Sequence, residues 1–166
     1  DCISTATNIS IMPEIDGYDV VAIGDQAFAG CESLQSVTIP SSVTEMGEGA
    51  FQSCISLQSV ILSDTITEIP NGAFLSCSAL QEVTFGDAVT KIGRMAFAYC
   101  NTLTSIEIPD TVTELGEQTF MGCSALESVT MPEGITALPA YMFQNCSSLK
   151  TFSLSLIHIS EPTRLD

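Results

Sequence analysis

One period runs through this chain and limits what it can fold into. Phenylalanine stands at Phe28, Phe51, Phe74, Phe97, Phe120 and Phe143. Cysteine stands at Cys31, Cys54, Cys77, Cys100, Cys123 and Cys146, and leucine at Leu34, Leu57, Leu80, Leu103, Leu126 and Leu149. Every step is 23 residues, with no insertion across six copies. A second apolar set keeps the same step (Val37, Val60, Val83, Ile106, Val129, Phe152), and so does a third (Ile39, Leu62, Phe85, Ile108, Met131). Self-similarity at a fixed period of this length is the mark of a repeat array. A unit of 23 residues is too small to bury its own apolar side chains, so copies must stack. Stacking as parallel strands sets a rise of about 4.7–4.9 Å per rung. Equivalent residues then lie above one another, and Phe, Cys, Leu and Val/Ile ladders fill the interior.

The unit reads in three pieces. In Ala50-Phe51-Gln52-Ser53-Cys54-Ile55-Ser56-Leu57 the apolar residues lie three apart, which predicts one or two turns of α or 3₁₀ helix. Gln58-Ser59-Val60-Ile61-Leu62 reads as a short strand, and the alternation is cleaner in Ser36-Val37-Thr38-Ile39. A turn follows, with Pro40, Pro109 and Pro132 in three copies but Ser63 and Gly86 in two others. Val43-Thr44-Glu45-Met46 and its equivalents give a second extended piece. The next position holds Gly24, Gly47, Pro70, Gly93, Gly116 and Pro139. Proline fixes φ near −65°, so the simplest reading of this site is a tight corner without room for a side chain.

The pattern Ala-Phe-x-x-Cys-x-x-Leu-x-x-Val-x-Ile-Pro-x-x-Val-x-x-Ile-Gly resembles the BspA-like, or Treponema pallidum-type, leucine-rich repeats, over residues 20 to 153. Ile15-Asp16-Gly17-Tyr18-Asp19-Val20 is similar to the looped first repeat of such arrays. Thr119 and Met142 depart from the usual Ala before Phe. The resemblance implies a repeat solenoid of leucine-rich type, mainly β, with short parallel strands and short α or 3₁₀ turns. It further implies a cell-surface or secreted protein that binds a protein or other cell-surface ligand, without a cofactor and without catalytic residues.

Charge narrows the partners. The formal net charge is −16, and the only basic residues are Lys91, Arg94, Lys150 and Arg164. Nucleic acid and anionic membrane surfaces both require clustered Lys and Arg. No stretch approaches the ~20 apolar residues of a membrane-spanning helix. Asp1-Cys2-Ile3-Ser4 shows no basic segment leading into an apolar one, so no signal peptide is visible. The single histidine, His158, lies beyond the repeats, so the array offers no Ser-His-Asp or Cys-His constellation. Three functions remain open: a recognition scaffold, a structural spacer carrying other domains, and, far behind, a carboxylate-dependent hydrolase.

Three sets of residues are candidates for a role. The first comprises the outward positions of the longer strands: Ser36, Thr38, Ser59, Ile61, Glu82, Thr84, Ser105, Glu107, Ser128 and Thr130. They are expected to form a docking face, although Ser and Thr also suit any solvated β-surface. The second is an acidic column, Asp64, Asp87, Asp110 and Glu133, which is a row of solvated turn carboxylates, a weak candidate cation site or a contact for a basic partner. In a neighbouring column, Glu45, Glu68, Lys91 and Glu114, the lysine interrupts the acids; Arg94 does the same in another column, and both bases read as charge relief within the stack. The third set is the cysteines. They show no C-x-x-C spacing, and stacked Cβ vectors point the same way, so the expectation is a ladder of buried, reduced thiols with Cys2 outside it. The scattered tyrosines, Tyr18, Tyr99 and Tyr141, form no stacking platform.

The period ends after Ser153. Residues 154–166 resemble the translated adapter of a transposase-based sequencing library. They are taken as a non-repeat tail and an artefact, the alternative being a natural segment that lays one more strand on the stack; on either reading Leu156, Ile157 and Ile159 are expected to cover the last rung.

Overall fold

A computed structural model describes residues 7–154 of the chain. The strands in chain order are β1 (Asn8–Ser10), β2 (Glu14–Ile15), β3 (Tyr18–Asp19), β4 (Ala22–Ile23), β5 (Ser36–Thr38), β6 (Glu45–Met46), β7 (Ser59–Ile61), β8 (Glu68–Ile69), β9 (Glu82–Thr84), β10 (Lys91–Ile92), β11 (Ser105–Glu107), β12 (Glu114–Leu115), β13 (Ser128–Met131) and β14 (Thr151–Leu154). The longer strands pair in parallel as β1-β5-β7-β9 and β11-β13-β14. The two-residue strands pair in parallel as β4-β6 and β8-β10-β12. Register advances by one repeat per rung, as in Ser36↔Ser59↔Glu82. Near the N-terminus β2 and β3 form an antiparallel hairpin. Its turn residues Asp16 and Gly17 have φ of 53° and 84°, as a two-residue hairpin turn requires.

The predicted helical turn is absent; no helix occurs among the described residues. Two left-handed residues per rung replace it. One column is Gln26, Gly49, Gly72, Met95, Gln118 and Tyr141; the other is Gly30, Ser53, Ser76, Tyr99, Gly122 and Asn145. A left-handed residue reverses the peptide that follows, so a helix cannot propagate. Alternate amides instead point along the stack. In one rung Gly49, Phe51 and Ser53 donate to the carbonyls of Asn71, Ala73 and Leu75 at 3.0, 2.8 and 2.8 Å. The same triplet recurs at every described junction, down to Gln118, Phe120 and Gly122 on Ala140, Met142 and Gln144. Each rung therefore carries three hydrogen-bonding sides: the long strand, the short strand and this turn segment.

The corner glycines behave as the sequence predicts. Gly47, Gly93 and Gly116 are not left-handed, but a Cβ there would lie 2.3–2.7 Å from a backbone nitrogen of the rung before. Their amides donate to Ile23, Ile69 and Ile92 at 2.7 Å each. Proline at this position has no N–H to give. Pro70 falls at the break between β6 and β8, and among the described residues no strand pairs beyond β12, where Pro139 follows.

The interior is the set of ladders expected. Phe51, Phe74, Phe97 and Phe120 are fully buried and stack nearly parallel, with centroids 5.4–5.7 Å apart where rung meets rung. Phe28 and Phe143, at the ends of the column, are only half-buried. Each ladder thiol from Cys54 to Cys146 donates from Sγ to the carbonyl of the phenylalanine 26 residues earlier, at 3.0–3.4 Å. Cys54, Cys77, Cys100, Cys123 and Cys146 are free thiols. Cys31 corrects the expectation of a wholly reduced ladder, because it is disulfide-bonded. The argument from parallel Cβ vectors applies between rungs, and it does not bar a bond from the end of the column to a residue outside it. The reading of Cys2 lies outside the described residues, as do the readings of residues 155–166. Leu154 belongs to β14 and pairs with Met131, so the repeat backbone continues one residue past Ser153.

Candidate recognition surface

Strand alternation turns every second side chain outward. Between the two outward columns Val37, Val60, Ile106 and Val129 are buried. Thr38, Ile61, Thr84 and Glu107 are exposed, as are Glu82 and Ser105, whereas Ser36, Ser59, Ser128 and Thr130 are half-buried. The ten residues named from sequence thus form two adjacent ladders on one face. The face is divided, however: Glu82 and Thr84 pair with β7 and not with β11, so Ser105 and Glu107 begin a second panel.

A flanking column escaped the sequence reading. Gln35, Gln58, Gln81, Thr104, Glu127 and Lys150 are all exposed beside the first ladder. The signal was available, since three identical glutamines recur at the common period. Glu127 and Lys150 form an ion pair at 3.1 Å there. The surface is therefore polar and short-chained, with one exposed apolar residue, Ile61, and carboxylates at Glu82, Glu107 and Glu127.

The acidic column lies at the turn after the long strand, with all four side chains exposed. Asp64 accepts the backbone N–H of Asp87 from the next rung at 3.2 Å, which caps an amide with a carboxylate. Among the described residues no three His, Cys, Asp or Glu side chains come together as a metal site. In the neighbouring column Lys91 meets Glu68 at 2.8 Å, and that hydrogen bond and charge hold its ammonium above the usual lysine range. Arg94 relieves no carboxylate by direct contact. Its Nε and a terminal nitrogen donate to Gln118 Oε1 at 3.2 and 2.7 Å, and its backbone N–H donates to Asn71 Oδ1 at 2.8 Å. Of the acids in its column, Glu48 accepts from Asn71 Nδ2 at 2.9 Å and Glu117 is exposed.

Shallow depressions lie elsewhere on the surface. One, on the turn side, is bounded by Glu48, Asn71, Leu75, Arg94 and Met95. Another, at the C-terminal end, is lined by Met131, Ile135, Leu138 and Phe152. Neither gathers a nucleophile with a base. Burial pushes the Cys123 thiol up to about 12 and that of Cys100 well above its usual range, so these sulfurs are poor nucleophiles. Among the described residues no helix is long and apolar enough to cross a membrane.

Comparison with known proteins agrees with this architecture. The BspA type leucine rich repeat region matches residues 5–101 and 79–162, in six copies. No curated protein matches the chain. Among solved structures, a leucine-rich repeat protein of T. pallidum is 33% identical, with a TM-score of 0.85, over 89% of this chain and 72% of that one. A leucine-rich repeat protein from Bacteroides ovatus is 32% identical, with a TM-score of 0.78, over 92% of this chain. A leucine rich cell surface protein from Faecalibacterium prausnitzii is 29% identical, with a TM-score of 0.60, over 91% of this chain. This chain spans only 39% and 32% of the last two proteins. With one insertion-free period, one stack of rungs and these matches in agreement, the chain belongs to the BspA type leucine-rich repeat family.

Proposed function

We propose that the chain is a recognition module whose long-strand face binds a protein partner outside the cell, as part of a cell-surface or secreted protein. The observation that carries this reading is the contrast between the two sides of the long strands. The inner column is buried at Val37, Val60, Ile106 and Val129, while the outer columns present Ser, Thr, Gln and Glu in register within each of the two panels. Within each panel the surface lies on hydrogen-bonded parallel strands, which suits a binding site that loses little entropy on docking. Its carboxylates favour a partner with a basic patch. Two further observations support an extracellular setting: Cys31 is disulfide-bonded, which fits an oxidising compartment, and one of the structural relatives is described as a cell surface protein. The residues proposed to meet the partner are Ser36, Thr38, Ser59, Ile61, Glu82, Thr84, Ser105, Glu107, Ser128 and Thr130, together with Gln35, Gln58 and Gln81. Residues 1–153 form the binding unit in this reading.

The test is saturable binding of the purified chain to a panel of extracellular proteins immobilised on a sensor surface. Binding that saturates and weakens with added salt is the expected result. A chain that stays folded and binds nothing on the panel above background would favour the spacer reading.

A further inference from the structure

We propose that the junction between β9 and β11 is a hinge, about which the long sheet opens and closes as two panels and so changes the curvature of its outer face. The inference rests on the backbone and holds whether or not that face binds a partner.

At every other described junction the long side is tied by three recurring bonds, and the rung pair around β7 and β9 shows all of them. Gln81 and Glu82 donate to Gln58 O at 2.9 and 3.1 Å, and Leu62 donates to Thr84 O at 2.9 Å. At the next junction the corresponding donors are Thr104, Ser105 and Phe85, and none of the three bonds is made. One rung later they return, with Glu127 and Ser128 donating to Thr104 O at 2.8 and 3.3 Å and Ile108 donating to Thr130 O at 3.0 Å. The other two sides of the same junction stay closed. Gly72, Phe74 and Ser76 donate to Arg94, Ala96 and Ala98 at 2.8–2.9 Å on the turn side. On the short side β10 pairs with β12. Thr102 Oγ1 fastens the near end, donating to Ser78 O or Leu80 O at 3.0 and 2.9 Å. A junction held on two sides and unfastened on the third bends about the held sides.

Side chains explain why the gap lies here. Phe85 stands where other rungs carry Ile39, Leu62, Ile108 and Met131, and its larger ring lies edge-on to Phe97 of the next rung at 6.0 Å. Gly86 lets the following corner sit against the rung before it, since a Cβ there would fall 2.1 Å from Ser63 O. One residue thus wedges the next rung away while its neighbour draws this rung back. The interior registers the opening: Val83 and Phe85 are half-buried, whereas their counterparts Val60 and Leu62 are buried. Glu82 and Glu107 stand on opposite lips, and like charges there disfavour closure.

The experiment is nuclear magnetic resonance on the full chain, reading amide exchange together with methyl relaxation dispersion, which reports μs–ms motion. In the native protein the Phe85 and Thr104 amides should exchange roughly 100-fold faster than those of Leu62 and Glu127, as expected of a locally open unit. Val83 and Ile106 methyl groups should show dispersion that Val60 and Val129 lack. Phe85→Leu, which restores the side chain of the preceding rung, should bring the Phe85 amide position and Thr104 to within about tenfold of their neighbours and quench the dispersion. Phe85→Ile serves as a second variant should the first not fold. Fast amide exchange without dispersion would mean a fixed slot and would overturn the hinge. So would protection equal to that of the other rungs, or dispersion unchanged in a folded Phe85 variant.

Discussion

Replacing Phe74 with alanine tests the stack at its centre. The ring is fully buried and lies between Phe51 at 5.5 Å and Phe97 at 5.4 Å. Its removal forfeits the transfer free energy of a whole aromatic side chain and leaves a void between two rings. Collapse is resisted, because Phe74 N–H is bonded to Ala96 O at 2.9 Å and Phe51 N–H to Ala73 O at 2.8 Å, which pins the rung spacing. The expected cost is about 3–5 kcal/mol, the range for a core aromatic that cannot be replaced by relaxation. For a chain of this size that lowers Tm by roughly 6–20 °C, taking about 2–4 °C per kcal/mol. Phe143 is half-buried, stacks on one face only, against Phe120 at 5.8 Å, and meets Phe152 edge-on at 5.9 Å. Phe143→Ala should therefore cost roughly half as much, because half of the packing is lost. Urea titrations of the two variants beside the parent, with the slope of ΔG against urea checked for constancy, give both values. Equal losses below ~1 kcal/mol at both positions would refute the stacked column, since such losses are those of surface substitutions.

Three further outcomes are expected. A bulky thiol reagent should leave Cys77 and Cys100 unmodified in the native protein and reach half-buried Cys146 first; rapid native labelling at mid-stack would contradict the burial of the ladder. Because burial raises the folded-state pKa of Cys123 from 9.0 to about 12, the unfolded chain loses that proton first, so this thiol's contribution to stability should be constant below pH 9 and be lost from there towards pH 12. Cys123→Ala should show a shallower alkaline fall, measured by urea titration at each pH, and an identical fall would refute the assignment. Ser53→Gly, at φ 60° in a column where Gly30 and Gly122 already stand, should stabilise by about 0.5–1 kcal/mol, left-handed strain of about 1–2 kcal/mol being offset in part by glycine's greater unfolded-state entropy; a loss of stability in the same titration would contradict the left-handed assignment.

Much of this fold is legible in the sequence because the period has no insertions. Once Phe51, Phe74 and Phe97 are taken as one column, the outward positions between the Val and Ile columns follow from alternation alone. The turn segment was not legible. Apolar spacing of three suits a helix, and the left-handed columns that prevent one hold Gln, Gly, Met and Tyr at one site and Gly, Ser, Tyr and Asn at the other. With no common residue type, only the stack reveals them. Pro70 was read for its φ, but its consequence comes from the absent N–H, which matters only when a neighbouring rung needs a donor. Phe85 and Gly86 are visible as departures from the pattern. Their joint effect, a gap in one side of one junction, depends on packing between rungs that no single repeat contains. The ten outward positions fall in two columns by alternation, and the division of those columns into panels follows from the same gap. Arg94 shows the limit of charge reading, since its guanidinium donates to the Gln118 amide oxygen of the next rung while Glu48 of its own column accepts from Asn71.

The most direct test of the central claim is a comparison of faces in a single binding assay. Once a saturable extracellular partner is found, Glu107→Arg on the long-strand face is set against Glu114→Arg on the short-strand face, each checked for an unchanged urea midpoint. Both glutamates are exposed, and the two substitutions change net charge equally, so long-range attraction to a basic partner is altered alike. Docking on the long-strand face should cost at least ~tenfold in affinity for Glu107→Arg and less than ~threefold for Glu114→Arg, as contact and non-contact charges differ. Equal effects at the two sites, or a larger loss at Glu114, would show that the partner does not dock on the long-strand face.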